Sequence, residues 1–230
     1  MFSIFKKSTT ITLDCFTPIP EIPDLFPIKR SSEFIPDWFK NLEPTVPWQG
    51  MDRGTMKLCP GVSEYYKMGF IIPSWREFKI EMNSGIPNVL PDGCADIHNP
   101  VQWGKGLDGY GHIKLVSPWR IKEKTGAKFL FTNAFWQKQK HQYFVPNGVV
   151  EYKHQSTTNV NMVISKNSFP KDFMINAGDP LVQCIPLSDK RIEIKLHVID
   201  PIEYAKIDSY VFAFSGNYYK GKKIRESNKK

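Results

Sequence analysis

Short stretches of the chain alternate strictly between apolar and polar residues, and a period of two predicts strands. The clearest runs from Arg191 to Ile199. Ile192, Ile194, Leu196 and Val198 lie on one side of it; Arg191, Glu193, Lys195 and His197 lie on the other. A helix would smear those charges around its circumference and bury some of them, so the pattern predicts a central or near-central strand. Further strands are predicted from Ile11 to Phe16, Lys67 to Ile72 and Glu77 to Met82. The Pro73-Ser74 corner makes the last two a hairpin pair. A strand from Gly111 to Val116 would turn Ile113 and Leu115 inward and His112 and Lys114 outward. Others follow at Ala127–Phe131, Gln142–Val145, Val149–Tyr152, Asn159–Ile164, Asp172–Ile175, Leu181–Leu187 and Ser209–Phe214.

Helical pattern is scarce. Glu33 to Asn41 predicts one short helix, capped by Ser31 or Ser32, and the segment from Pro201 predicts a turn or two. No strand–helix–strand series and no internal repeat occurs. The predicted fold class is therefore all-β, mainly β, as an antiparallel β-sandwich or a jelly-roll-like body with one or two short helices. Residues 1–219 read as one domain. Pro18, Pro20, Pro23 and Pro27 mark an extended arm, about residues 17–50, lying on the core. The stretch around Val46-Pro47-Trp48-Gln49-Gly50-Met51 reads as loop, and residues 83–109 as one long loop, by their Gly, Pro, Asn and Asp content.

The apolar share of 41% suffices for a real core, and an aromatic share of 13% with 18 prolines suits strands better than long helices. The formal net charge of +8 is uneven: Lys220, Lys222, Lys223, Arg225, Lys229 and Lys230 against Glu226 put five of those charges in the last eleven residues. Residues 220–230 thus read as a solvated basic tail, which weakens the case that the charge serves nucleic acid. Cys15, Cys59, Cys94 and Cys184 are widely spaced and form no CxxC, and no long apolar run or secretory leader stands out. These features predict reduced thiols inside a cell, and no membrane partner.

No Walker loop, GxGxxG, HExxH, GxSxG or EF-hand loop is present. The strongest polar cluster is Leu90-Pro91-Asp92-Gly93-Cys94-Ala95-Asp96-Ile97-His98, which sets Asp92, Cys94, Asp96 and His98 at every second position. Extended backbone would put all four on one face. Carboxylate, thiolate and imidazole all bind divalent transition metals, with His112 the nearest outside ligand, although no cofactor is required by the sequence. A cupin-like iron site would want His-x-Asp or His-x-Glu, and the chain has neither. A second candidate surface mixes bases and aromatics: Trp119, Arg120, Lys122, Lys124, Trp136, Lys138, Lys140 and His141. Such interleaving can stack bases and hold phosphates.

The segments Gly69-Phe70-Ile71-Ile72-Pro73-Ser74-Trp75, Phe131-Thr132-Asn133-Ala134-Phe135-Trp136, Asn147 to Tyr152, and Ala177 to Leu187 resemble a family of uncharacterised proteins of tailed phages, especially marine ones. They are more distantly similar to a bacterial domain of unknown function. The matching positions are Trp75, Trp119, Phe135, Trp136, Gly178, Asp179, Pro180, Gln183 and Pro186, over roughly residues 65–200. The resemblance implies phage origin and a single domain, and it brings no activity. The Gly178-Asp179 turn also looks like a late turn of dUTPase-like β proteins, without their catalytic motifs. The expectation is a phage-encoded accessory protein with a binding or structural role toward a host or phage protein, in the cytoplasm of the infected host or on the virion. The alternatives are a cupin-like metal-dependent enzyme built on Asp96 and His98, and a nucleic-acid-binding module.

Overall fold

The computed structural model describes residues 10–103, 105–137, 142–167 and 172–207, with Lys223 and Ser227. The predicted strand at Ser209–Phe214 and the rest of the basic tail lie outside them. The chain opens with β1 (Thr10–Thr17), α1 (Ile22–Leu25) and β2 (Lys29–Arg30). A 3-10 turn at Ser31–Phe34 leads to α2 (Asp37–Lys40) and then to β3 (Thr45–Trp48) and β4 (Met51–Gly54). Next come a 3-10 turn at Met56–Leu58, α3 (Pro60–Lys67), β5 (Phe70–Pro73), β6 (Phe78–Asn83), β7 (Ile86–Leu90) and β8 (Ala95–Ile97). Two 3-10 turns connect to β9 (Tyr110–Leu115), followed by β10 (Arg120–Lys122), β11 (Phe129–Asn133), β12 (Gly148–Val150) and β13 (Val160–Ser165). β14 (Asp172–Ile175), β15 (Pro180–Pro186), β16 (Arg191–Val198) and α4 (Pro201–Ile207) complete the described elements.

The fold is mainly β, and its pairing is almost wholly antiparallel. The described strands form a five-stranded sheet (β12-β11-β15-β5-β2), three three-stranded sheets (β10-β1-β16, β13-β9-β8 and β14-β6-β7) and the β3-β4 hairpin. All but the hairpin feed a shared hydrophobic core, so the strand pairing is divided more finely than in a two-sheet sandwich. β1 alternates as its sequence dictates: Ile11, Leu13 and Cys15 are wholly buried between outward Thr12, Asp14 and Phe16. β6 does the same with Phe78, Ile80 and Met82. β5 is buried at all four residues, as a strand flanked on both edges and covered on both faces must be. Phe70, Phe129 and Tyr152 interlock at its centre with ring centroids 5.5–6.3 Å apart.

Several expectations change. β16 is an edge strand, not a central one, and it pairs parallel to β1 from Thr10–Arg191 to Thr17–Val198. Its period of two holds, but only Ile192 is fully buried; Ile194 and Leu196 are half-buried and Val198 is exposed. β5 and β6 do not pair across Pro73-Ser74. β5 lies between β15 and β2, and β6 between β14 and β7, because the Ser74 N–H donates to Asp179 O and the Gly178 N–H to Ser74 O, sending the chain between sheets. Residues 83–109 are not one loop: they contain β7, which folds back on β6, and β8, which pairs with β9. The Glu33–Asn41 helix is broken into a 3-10 turn and α2, with Ile35 and Pro36 extended between them. Gln142–Val145 makes one bridge, Phe144 to Val163, rather than a strand. The described residues form four short α-helices, more than the one or two expected. α3, unpredicted, starts on Pro60 and ends on Lys67, suiting a proline-tolerant first turn and a cation near the carbonyl end. Within residues 17–50, Ile22, Ile28 and Phe39 are buried, Ile22 and Ile28 within the main core.

The core is thus organised around β1 and β5 rather than β16. Leu13→Ala should lower the urea unfolding free energy by about 2–5 kcal/mol, from lost transfer energy and the cavity left. Val198→Ala, on the exposed end of the edge strand, should change it by less than about 0.5 kcal/mol. Equal losses at the two positions would contradict this placement.

Candidate functional site

The 92–98 segment keeps the predicted geometry only in its second half. β8 pairs with β9 so that Asp96 faces Lys114, and the His98 N–H continues the ladder to His112 O at 3.1 Å. Asp96, His98, His112 and Lys114 therefore share one face of the sheet. Asp96 Oδ2 accepts from Lys114 Nζ at 2.6 Å. The His98 and His112 rings stack with centroids 4.3 Å apart and planes 20° from parallel. His98 Nδ1 and Gln102 Oε1 lie 2.5 Å apart, and with that nitrogen donating, Nε2 is left as the acceptor. Cys94 is set aside: its thiol donates to Pro91 O at 2.7 Å, and burial is the main cause of its raised pKa. Asp92 is exposed in the turn before it.

His112 overturns its predicted position. It is 8% exposed rather than on the wet side, because the His98 ring lies on it. Desolvation first, and then the neighbouring His98 and Lys114, push its pKa down to about 4, against the raising effect of a hydrogen bond with Asn161. The pocket beside the pair is about 60 Å³, walled by Ile86, Pro87, Ile97 and Val163 among others. That is room for roughly two water molecules. Imidazole lone pairs lie in the ring plane, so stacked rings do not aim them at one point, and Asp96 is committed to Lys114. Among the described residues no group of three or more His, Cys, Asp or Glu is arranged to hold a metal ion.

The basic–aromatic surface does not form as predicted. Trp119 is wholly buried, so it cannot stack on a base. Arg120 is turned inward, donating to Ser117 O and Trp119 O and lying 4.7 Å from the centre of the Tyr204 ring. Trp136 is half-buried and packs edge-on against Phe135, while Lys122 and Lys124 are exposed. Lys138, Lys140 and His141 lie outside the described residues.

A further exposed apolar feature lies in the 43–54 segment, where the sequence predicts a loop. β3 and β4 form a hairpin closed by Gln49 (φ 50°) and Gly50 (φ 75°). Positive φ at both central residues is the turn that matches strand twist in a two-residue hairpin. Trp48 faces Met51 and Val46 faces Arg53, which places these four side chains on one side of the ribbon. Every residue of both strands is exposed; Trp48 is 61% and Met51 56% accessible. Pro47 has no N–H to offer a third strand, so the ribbon is poorly suited to edge pairing. Its base is anchored. Thr55 donates from its N–H to Pro44 O at 2.9 Å and from its hydroxyl to Glu43 O at 2.5 Å. Lys57 Nζ reaches Phe39 O and Lys40 O, both at 2.9 Å. Behind it, Tyr66 packs on Phe39 with centroids 4.7 Å apart and donates to Trp136 O at 3.1 Å. The signal in the sequence was a two-residue polar turn ending in Gly, with large apolar residues on either side.

No protein-family model matches the chain, and no curated protein matches it by sequence. Among the described residues no helix is long and apolar enough to cross a membrane.

The buried His112 makes stability depend on acid. Its folded pKa lies below the unfolded value near 6.5, so its neutral form is compatible with the fold above that pH. The unfolded chain takes up a proton first as pH falls. Unfolding free energy should decline between pH 6.5 and about 4, by at most roughly 1.4 kcal/mol per unit from this group, and level off below. His112→Gln should flatten that slope in urea titrations run across the range. An unchanged slope would assign the acid sensitivity to the carboxylates instead.

Proposed function

We propose that the protein is a binding module that docks a partner protein on the β3–β4 hairpin, and that it serves as a phage-encoded accessory protein. The hairpin supports the first part. Val46, Trp48, Met51 and Arg53 stand together on a ribbon that buries none of them. A two-stranded ribbon is marginal alone, and large apolar side chains left in water add nothing to the fold; grouped on one face, they mark an interaction surface. Trp, Met and Arg are also the residue types enriched where protein interfaces concentrate their binding energy. The partner that fits is a protein with an apolar pocket for Trp48 and Met51 and a carboxylate beside it for Arg53. The phage assignment rests on the tryptophan-rich middle and the Gly178-Asp179 turn. The anchored base favours a preformed arm, which loses little entropy on docking.

A photo-crosslinking residue placed at position 48, in the cells that naturally express the gene, tests the reading. One adduct of defined mass is expected, lost when Met51→Ser and Arg53→Glu are added, and not formed from exposed position 174 on β14. Trp48→Ser should weaken the complex by about 2 kcal/mol or more. Adducts of equal yield from positions 48 and 174 would contradict the proposal. A crosslink between two copies of this chain would replace the partner with self-association.

A further inference from the structure

We infer that the groove between residues 123–128 and 187–190 binds a phosphate group. It is about 330 Å³ and is lined by Thr125, Gly126, Lys128, Leu187, Ser188 and Lys190, with Ala127 completing the wall. Its two walls are tied where the Leu187 N–H donates to Lys128 O at 2.8 Å, at the end of the β11–β15 ladder. The loop that forms one wall is set by Glu123, which is only 3% exposed. One oxygen of Glu123 accepts from the N–H and the hydroxyl of Thr125, both at 2.7 Å, and the other from the Gly126 N–H at 2.5 Å. This carboxylate is consumed in shaping the loop, and its hydrogen bonds aim it away from a ligand.

The groove is rich in cations brought from separate segments. Lys128 and Lys190 line it and Lys124 lies on the same loop, while the Lys153 side chain lies beside Gly126 without lining the groove. Gly126 has φ +79°, a conformation that glycine adopts without strain, which is what the turn requires. None of the ion pairs among the described residues involves Lys124, Lys128 or Lys190. The Ser188 oxygen accepts from the Lys190 N–H at 3.3 Å, which leaves its proton for a ligand oxygen. Besides Glu123, Asp189 lies between the lining Ser188 and Lys190, and Glu193 is the next acidic residue along the chain. Lysines act on phosphate as point charges, and a hydroxyl donor adds direction. No aromatic side chain lines the groove, so it offers no stacking platform for bases. The ligand chemistry is therefore a phosphate or phosphomonoester on a small molecule, not a nucleic-acid strand.

Amide and lysine-side-chain NMR of the full chain, titrated with inorganic phosphate and separately with a phosphomonoester at constant ionic strength, tests this. Saturable shifts are expected at Gly126, Lys128, Ser188 and Lys190, weakened about tenfold or more by Lys128→Gln with Lys190→Gln, which is at least about 1.4 kcal/mol of binding. The double change Lys40→Gln with Lys67→Gln removes the same charge elsewhere and should leave the affinity unchanged. Saturation by the phosphomonoester but not by inorganic phosphate would still assign the groove, to an esterified ligand. Equal weakening by both double variants would reduce the effect to net charge and overturn the site. So would an oligothymidylate that outcompetes phosphate and ignores Lys128 and Lys190.

Discussion

The fold turns on one close approach. Gly69, at φ +75°, passes so near β15 that a side chain there would overlap Cys184 O and crowd Ile185 Cα. Only glycine tolerates both the conformation and the contact. At the same point Gln183, wholly buried, donates to Tyr65 O at 3.1 Å and Met68 O at 2.9 Å, and accepts from Gln137 Nε2 at 3.2 Å. A buried amide with partners on each side stabilises; one left unpaired would cost the full desolvation of its groups. This junction fixes α3 against the five-stranded sheet. Through α3 it fixes Tyr66, Phe39 and the base of the hairpin. Gln183 thus acquires a physical role that the resemblance alone did not give it.

The same logic separates what the fold uses from what it displays. Glu123, Gln183 and the Ser117–Thr158–Trp119 network are buried polar groups whose hydrogen bonds are made within the protein. Cys15 and Cys184 are buried thiols whose pKa values are raised by desolvation, that of Cys184 to about 12, and they behave as small apolar side chains. Against this interior, the hairpin stands out by exposing Trp48 and Met51 while its backbone ends are well tied. An element anchored at its base and apolar at its tip is what the proposed docking role requires.

Much of the fold was legible because strands with one wet face write their period into the sequence. β1 and β6 fall where alternation put them, and β15 falls in the apolar run after the Gly178-Asp179 turn. Pairing was not legible. β1 and β16 join across most of the chain, and no local pattern encodes a parallel partner at that separation. Burial failed where a side chain's cover came from elsewhere: His112 alternates with core residues yet is covered by His98, and Trp119 sits among lysines yet fills the core. In the candidate loop, the every-second-residue spacing did bring Asp96 and His98 onto one face. It gave no information on Lys114, which occupies the carboxylate, or on ring stacking. The hairpin was missed because Pro47 and Gly50 read as loop formers, when Gly50 was instead closing a two-residue turn.

The central claim is that the hairpin's apolar face belongs to a partner and not to the fold. The most direct measurement is the urea unfolding free energy of the isolated chain carrying Trp48→Ser and Met51→Ser together. If the face serves only docking, the doubly substituted protein should match the parent within about 0.5 kcal/mol, as surface changes do. A loss of about 2 kcal/mol or more, the scale of a truncated core side chain, would mean that the hairpin packs into the body and would contradict the account.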